Sequence, residues 1–206
     1  ADARAAEAEA AYRDAAGALS EGRRRAGERL TAAVSAELAP LKLDKARFRV
    51  SVQPLPPERA GPEGLDRIEF EVSTNPGAPF GGLGDIASGG ELARLALALK
   101  ASLAASGEQA AVPAMIFDEV DQGVGGAVAD AVGLRLKRLA GAGQVLVVTH
   151  SPQVAARGEA HWKVAKRDAG SGVRTLVQPL GRAEREEELA RMLAGAEVTD
   201  AARAAA

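Results

Sequence analysis

Cysteine is absent from this 206-residue chain, which removes disulfide frameworks and thiolate zinc sites and suits a reducing, cytoplasmic setting. Aromatic residues are scarce, with one Trp, one Tyr and four Phe, so a hydrophobic content of 47% must build its core from Ala, Leu and Val. No apolar run approaches ~18 residues, so no membrane-spanning helix is expected. Excess positive charge is missing too: 26 Lys and Arg against 28 Asp and Glu leave a formal net charge of −2. That excludes coating nucleic acid by bulk charge and leaves room for a local basic face. None of the lysines, Lys42, Lys45, Lys100, Lys137, Lys163 and Lys166, follows a glycine. The chain therefore lacks the Gly-Lys-Ser/Thr of a P-loop phosphate cradle. No secretory signal is visible, and an opening at Ala1 rather than Met is what an excised or processed piece would show.

What is present falls into a readable order. Residues 1–39 are Ala-rich and charge-laced, with Leu30, Val34, Leu38 and Leu41 on one face, and predict a helix despite Gly17, Gly22 and Gly27. Before Leu30 the stripe is mostly alanine with Tyr12 and Leu19, too thin for a globular core. This predicts a helix that pairs with a long partner helix or lies exposed, as the root of a coiled coil over residues 1–40. The run Arg23-Arg24-Arg25 could touch DNA phosphates, although a solvated helix face is the preferred reading.

Pro40 closes the helix. Arg47–Val52 and Asp66–Val72 alternate polar and apolar residues across a Pro/Gly-rich loop, which predicts an antiparallel hairpin, and Asn75–Gly84 reads as loop. Helices over about 88–106 and 125–140 then alternate with apolar strands at 112–117 and 144–149, with a short helix near 152–156. That alternation argues a parallel α/β sheet. An antiparallel pair at 161–166 and 173–178 and two helices, 182–194 and 198–205, complete a lobe spanning 41–206. No compositional break marks a second globular domain.

Three stretches carry chemistry, each at the end of a regular element. Ser88-Gly89-Gly90-Glu91 opens a helix with the Ser-x-x-Glu pattern of a capping box, which accounts for Ser88 and Glu91 without any ligand. It leaves the glycines unexplained. Each costs about 1 kcal/mol against alanine in a helix. Their use is close approach of backbone amides to an anion, phosphate above all, at the positive end of the helix dipole. Asp118-Glu119 follows a strand that reads as buried on both faces, at the strand end where ligands gather in α/β sheets. The first acid can bind Mg²⁺ and the second can face an attacking water as general base, though both could simply be solvated. His150 ends the next strand in the same way and can donate a hydrogen bond to a terminal phosphate.

These positions resemble the ABC-type ATPases. Ala87–Glu91 is similar to their signature motif, although Ala87 and Glu91 stand where Leu and Gln are usual. Met115–Glu119 is similar to Walker B with its catalytic glutamate, Val120–Gly123 to the D-loop, and Thr149-His150 to the switch histidine. Ala87–Arg94, Ile116–Asp121, Val148–Ala155 and Glu188–Leu193 narrow the resemblance to the RecN family of bacterial DNA repair proteins, which are SMC-like ATPases; it covers roughly residues 40–206. The resemblance implies an α/β fold: the C-terminal lobe of an ATPase head, a parallel sheet flanked by helices with an antiparallel portion, plus a coiled-coil root. It implies ATP and Mg²⁺ as cofactors, an N-terminal Walker A lobe of the same protein as partner, and a homodimer of heads that sandwiches ATP. Asp118 would hold the metal, Glu119 and His150 would be catalytic, and Ser88, Gly89, Gly90 and Glu91 would bind nucleotide. Asp121 would link the two sites across the interface. The implied activity is ATP hydrolysis acting on DNA in double-strand break repair at the nucleoid, with no membrane involved. This chain alone, lacking Walker A, is expected to be inactive. Rival readings are an ABC transporter motor, the head of another SMC-like repair or cohesion ATPase, and a dimerisation lobe whose acids do no chemistry.

Overall fold

The computed structural model describes residues 2–86, 88–105, 114–168, 172–194 and 199–206. The chain divides into two compact units, Ala1–Ser106 and Gly107–Ala206, a division that no change in composition announces.

The first unit opens with α1 (Asp2–Leu38), followed by a 3₁₀ turn at Ala39–Leu41 that Pro40 helps to start. β1 (Arg47–Pro54) and β2 (Asp66–Ser73) pair antiparallel from Arg47↔Ser73 to Pro54↔Asp66, as the alternation predicts. A two-residue strand, β3 (Gly81–Gly82), pairs with β2 inside the stretch read from sequence as loop; a glycine pair has no side chains to alternate. A 3₁₀ turn at Leu83–Asp85 then leads toward α2 (Gly89–Ala105). Leu41, Leu97 and Ala98 are fully buried, and Phe48, Leu38 and Leu95 nearly so.

From Ala16 onward α1 buries residues within its own unit, where it packs on β1 and α2, while residues 3–15 are exposed apart from the half-buried Tyr12. The thin stripe is what permits this. Ala16 and Ser20 are buried, and a Cβ at Gly27 would stand 3.2 Å from both Cβ and Cγ1 of Val50. Small residues let helix and sheet approach closely. Polar groups then fix the register: Tyr12 donates to the Gly61 carbonyl (3.0 Å), Ser20 to Asp66 (2.5 Å), and the Val50 amide to Thr31 Oγ1 (3.1 Å). Arg23 reaches the same buried Asp66 at 3.5 Å, so it belongs to this seam, whereas Arg24 and Arg25 pair with Glu21 on the solvent side.

The second unit holds β4 (Met115–Asp118), α3 (Gly126–Ala140), β5 (Val145–Val148), α4 (Pro152–Ala156), β6 (Trp162–Asp168), β7 (Val173–Pro179), α5 (Arg182–Ala194) and α6 (Asp200–Ala205). β4 and β5 are parallel, Met115↔Val145 through Asp118↔Val148, and β6 and β7 are antiparallel. The upstream portion of the expected strand, residues 112 and 113, lies outside the described residues. α3 buries Ala129, Val132, Leu136 and Leu139, and docks on α4 so closely that a Cβ at Gly133 would meet Arg157 Cγ at 2.8 Å.

One expectation fails here. The β4–β5 sheet is not buried on both faces: Met115 and Phe117 are buried, but Ile116 is 72% and Val148 61% exposed. Among the described residues each of these strands has a single partner, and α3 packs on β5. β6–β7 is open in the same manner, with Val164 and its cross-strand partner Val177 both exposed.

Candidate functional site

Two sets of candidate residues occur, one in each unit. In the first, Ser88 caps α2: the Glu91 amide donates to its Oγ at 3.4 Å, which is the serine half of the anticipated capping box. Ser88 and Gly89 are exposed, Gly90 is buried, and Ala87 lies outside the described residues. A Cβ at Gly89 would meet nothing within 4 Å. The start of this 17-residue helix thus has open space beside Gly89, at the end whose dipole favours an anion, while the Glu91 amide is already held by Ser88.

In the second unit, the parallel register sets Asp118 beside Val148, so both strands end at the same level. Glu119 and the Thr149-His150 pair therefore leave the sheet at one end, as the spacing of the motifs predicts. Asp118, Glu119 and His150 are all exposed there. Glu119 adopts φ +54°, the left-handed region that a non-glycine residue enters only when its surroundings demand it. The turn that demands it is closed by the Gln122 amide on the Glu119 carbonyl (3.0 Å) and the Val124 amide on the Asp121 carbonyl (3.3 Å). Its anchors, Val120 and Asp121, are completely buried.

The Asp121 carboxylate points into the unit and accepts a short hydrogen bond from Thr149 Oγ1 through Oδ2, while Oδ1 is buried without a hydrogen-bond partner. It is not presented to a second molecule in this conformation. The backbone does this: two turns in succession fold the residue after Val120 inward. Thr149 Oγ1 also accepts from the Ser151 amide at 2.9 Å, just before α4 begins. In the sequence Thr149 stands out only as the neighbour of His150. The available signal was a hydroxyl residue closing an otherwise wholly apolar strand.

No group of three or more His, Asp and Glu side chains gathers among the described residues. A divalent cation would rest on Asp118, with phosphate oxygens and water completing its shell, a common arrangement for Mg²⁺. Among the described residues no helix is long and apolar enough to cross a membrane.

Elsewhere in the second unit, Glu188 of α5 holds Arg191 (2.6 Å) and Lys163 of β6. The Arg191 hydrogen bonds, joined by Lys163 and opposed by burial, pull its carboxyl down to about 2. His161, next to this cluster, is pushed below its ordinary value by burial and then by Arg185 and Lys163, against the pull of Glu188.

No family profile matches the chain. It is 45% identical over 188 residues to the DNA repair protein RecN of Rickettsia bellii, covering 91% of this chain and 33% of that protein. It is 44% identical over 197 residues to RecN of Streptomyces coelicolor (91% and 34%), and 43% over 195 residues to RecN of Xylella fastidiosa (95% and 34%). The chain thus spans about a third of the length of the relatives it matches. Among solved structures it is similar to the Smc head domain with coiled coil and joint from Pyrococcus yayanosii, with TM-score 0.56, 23% identity, and coverage of 79% and 28%. A chain described for ATP-driven dimerization and DNA-stimulated activation of SMC ATPases matches with TM-score 0.51 at 20% identity, covering 86% of this chain and 99% of that one. The mixed α/β fold is that of SMC heads, and the chain is related to RecN.

Proposed function

We propose that this chain is the C-terminal half of the ATPase head of a RecN-like DNA repair protein, together with the root of its coiled coil in the first part of α1. The carrying observation is that the β4–β5 sheet has two strands among the described residues and leaves Ile116 and Val148 exposed. An apolar face with Ile116 and Val148 in water, directly behind Asp118-Glu119, is what a head lobe presents when its complementary lobe is elsewhere. The sequence independently lacks a Gly-Lys phosphate cradle, so Walker A must come from that other lobe, N-terminal in the same protein. Sequence identity of 43–45% to RecN against 20–23% to SMC heads favours a repair ATPase of the RecN type over another SMC-like one.

In this reading the roles divide by exposure. Mg²⁺-ATP, once bound, supplies the phosphoryl group and the charge that the site must neutralise. Asp118, at the end of β4, holds the cation side. Glu119, aimed by its left-handed backbone, orients and deprotonates the attacking water. His150 donates to the terminal phosphate. Ser88, Gly89, Gly90 and Glu91, at the start of α2, close over the nucleotide of a second head, so that two heads dimerise around ATP. Asp121 acts on that interface through the turn it anchors, since its own carboxylate is buried. Cycles of engagement and release would open and close the protein on DNA at a broken duplex.

The test is ATP hydrolysis by this chain alone, then with the lobe encoded upstream of Ala1, then in the complete protein carrying Glu119→Gln. Silence alone, turnover on mixing, and ATP-dependent dimers that persist in Glu119→Gln while turnover falls by roughly 10²-fold or more are expected. Turnover by the chain alone would overturn the half-head reading; unchanged turnover in Glu119→Gln would remove Glu119 as the base.

A further inference from the structure

We infer that Thr149 is a positioning residue that sets Glu119 and His150 together, through one hydroxyl shared between their two turns. The inference rests on the half-head reading for what those two residues do, but its geometry stands without it.

A threonine hydroxyl carries one donor and two acceptor lone pairs. Thr149 spends the donor on Asp121 Oδ2 and an acceptor on the Ser151 amide (2.9 Å). The first bond reaches across 28 residues to the turn that holds Glu119 at φ +54°. The second fixes the residue after His150. His150 is therefore pinned on both sides, with Thr149 tied to the Glu119 turn and Ser151 tied back to Thr149. Ser151 is itself 6% exposed and bonds Gln153 (2.9 Å), so the chain beyond it is held as well.

The dependence of Asp121 on this one donor is strong. Its side chain is fully buried and its other oxygen has no hydrogen-bond partner. Without the Thr149 hydroxyl, a buried carboxylate would keep no hydrogen bond at all, and such a group moves toward water. The route outward runs through the turn, and the turn would carry Glu119 with it. A left-handed glutamate persists only while its surroundings over-determine it, so release of Asp121 lets residue 119 relax to an ordinary conformation that aims its carboxylate elsewhere. Asp118, at the last position of the β4 ladder, is held by strand pairing and would stay. Nucleotide binding should then survive while the chemical step fails.

Thr149→Val and Thr149→Ser in the complete protein separate this from a packing role. Valine keeps the shape and loses the hydroxyl; serine keeps the hydroxyl and loses the methyl. Thr149→Val is expected to lower kcat at least tenfold with KM for ATP moving less than twofold, and Thr149→Ser to recover most of kcat. Hydrogen exchange should quicken in Thr149→Val at the Ser151 amide and the Gln122 amide together. Should the valine variant not fold, Asp121→Asn, which weakens the same bond by removing its charge, is measured for the same paired exchange and kcat loss. Serine performing worse than valine, unchanged kcat in Thr149→Val, or exchange rising at only one of the two amides overturns the inference. Glu119→Gln run beside them tells the failures apart. If it stops turnover while Thr149→Val does not, only the positioning role falls. If turnover survives in it, the half-head chemistry falls, and the paired exchange alone decides whether one hydroxyl couples the two turns.

Discussion

Replacing Gly27 with alanine tests whether α1 truly lies on the sheet. In a solvated helix the exchange is favourable by about 1 kcal/mol, because glycine leaves more backbone freedom in the unfolded chain. Here the new methyl would stand 3.2 Å from Val50 Cβ and Cγ1, closer than carbon atoms pack by a few tenths of an ångström. Relief must come from Val50 or from α1. Val50 is paired with Phe70 in the ladder, and its amide is bonded to Thr31 of α1, so strand and helix are clamped at the place that would have to open. Forcing an extra carbon into such contact costs about 1–3 kcal/mol. Net destabilisation of about 0–2 kcal/mol is expected for Gly27→Ala. Gly22 lies five residues earlier in the same helix and a Cβ there meets nothing within 4 Å, so Gly22→Ala should stabilise by about 0.5–1 kcal/mol. The assay is urea unfolding followed by helix dichroism, with Trp162 fluorescence reporting the other unit as an internal control. Combining Gly27→Ala with Val50→Ala, which removes Cγ1, should restore part of the loss. If Gly27→Ala stabilises as much as Gly22→Ala, the close seat of α1 on β1 is wrong.

Acid should weaken the second unit in two steps. The pKa of Glu188 is lower folded than unfolded, so its bonds to Arg191 and Lys163 contribute fully above about pH 4.5 and fade as the pH falls toward 2. His161, also lowered, contributes above about 6.5 and less below it as burial resists its protonation. Denaturation midpoints followed through Trp162 should fall faster below pH 4.5 in the wild type than in Glu188→Gln; equal slopes would refute the assignment. Ile116→Ser, at a side chain 72% exposed, should change the stability of this chain by less than about 0.5 kcal/mol. The same substitution should weaken association with the upstream lobe in a pull-down or titration, and an undiminished affinity would argue that the open face of β4 is not where that lobe sits.

Much of the fold was legible because its signals were local. The alternation in Arg47–Val52 and Asp66–Val72 pointed to an antiparallel hairpin, and apolar runs alternating with helices to the parallel pairing of β4 with β5. The misses share a cause: each depended on what lies opposite the residue. Ile116 reads as doubly buried because the composition of its strand suits a sheet covered on both sides, which this chain does not supply among its described residues. The small residues of α1 read as too weak to pack, since sequence shows the width of a stripe and not the distance to its neighbour. Asp118, Glu119 and His150 emerged at a common end because strand ends are legible. The inward turn of Asp121 was not, because side-chain direction in a turn follows dihedral angles that residue spacing does not encode.

The seating of α1 also has a mechanical consequence. At 1.5 Å per residue the 37-residue helix is about 55 Å long, and it is riveted to the β1–β2 sheet at Tyr12, Ser20 and Thr31 while leaning on α2, the helix that Ser88 caps. Such a rod cannot swivel independently of its mount. A tilt of about 5° in the sheet about the Ser20–Asp66 bond, about 27 Å from the N-terminal tip, sweeps that tip by about 2 Å. Whatever presses on the Ser88 end of α2 is thereby geared to a long pointer, with Asp66 as its pivot pin.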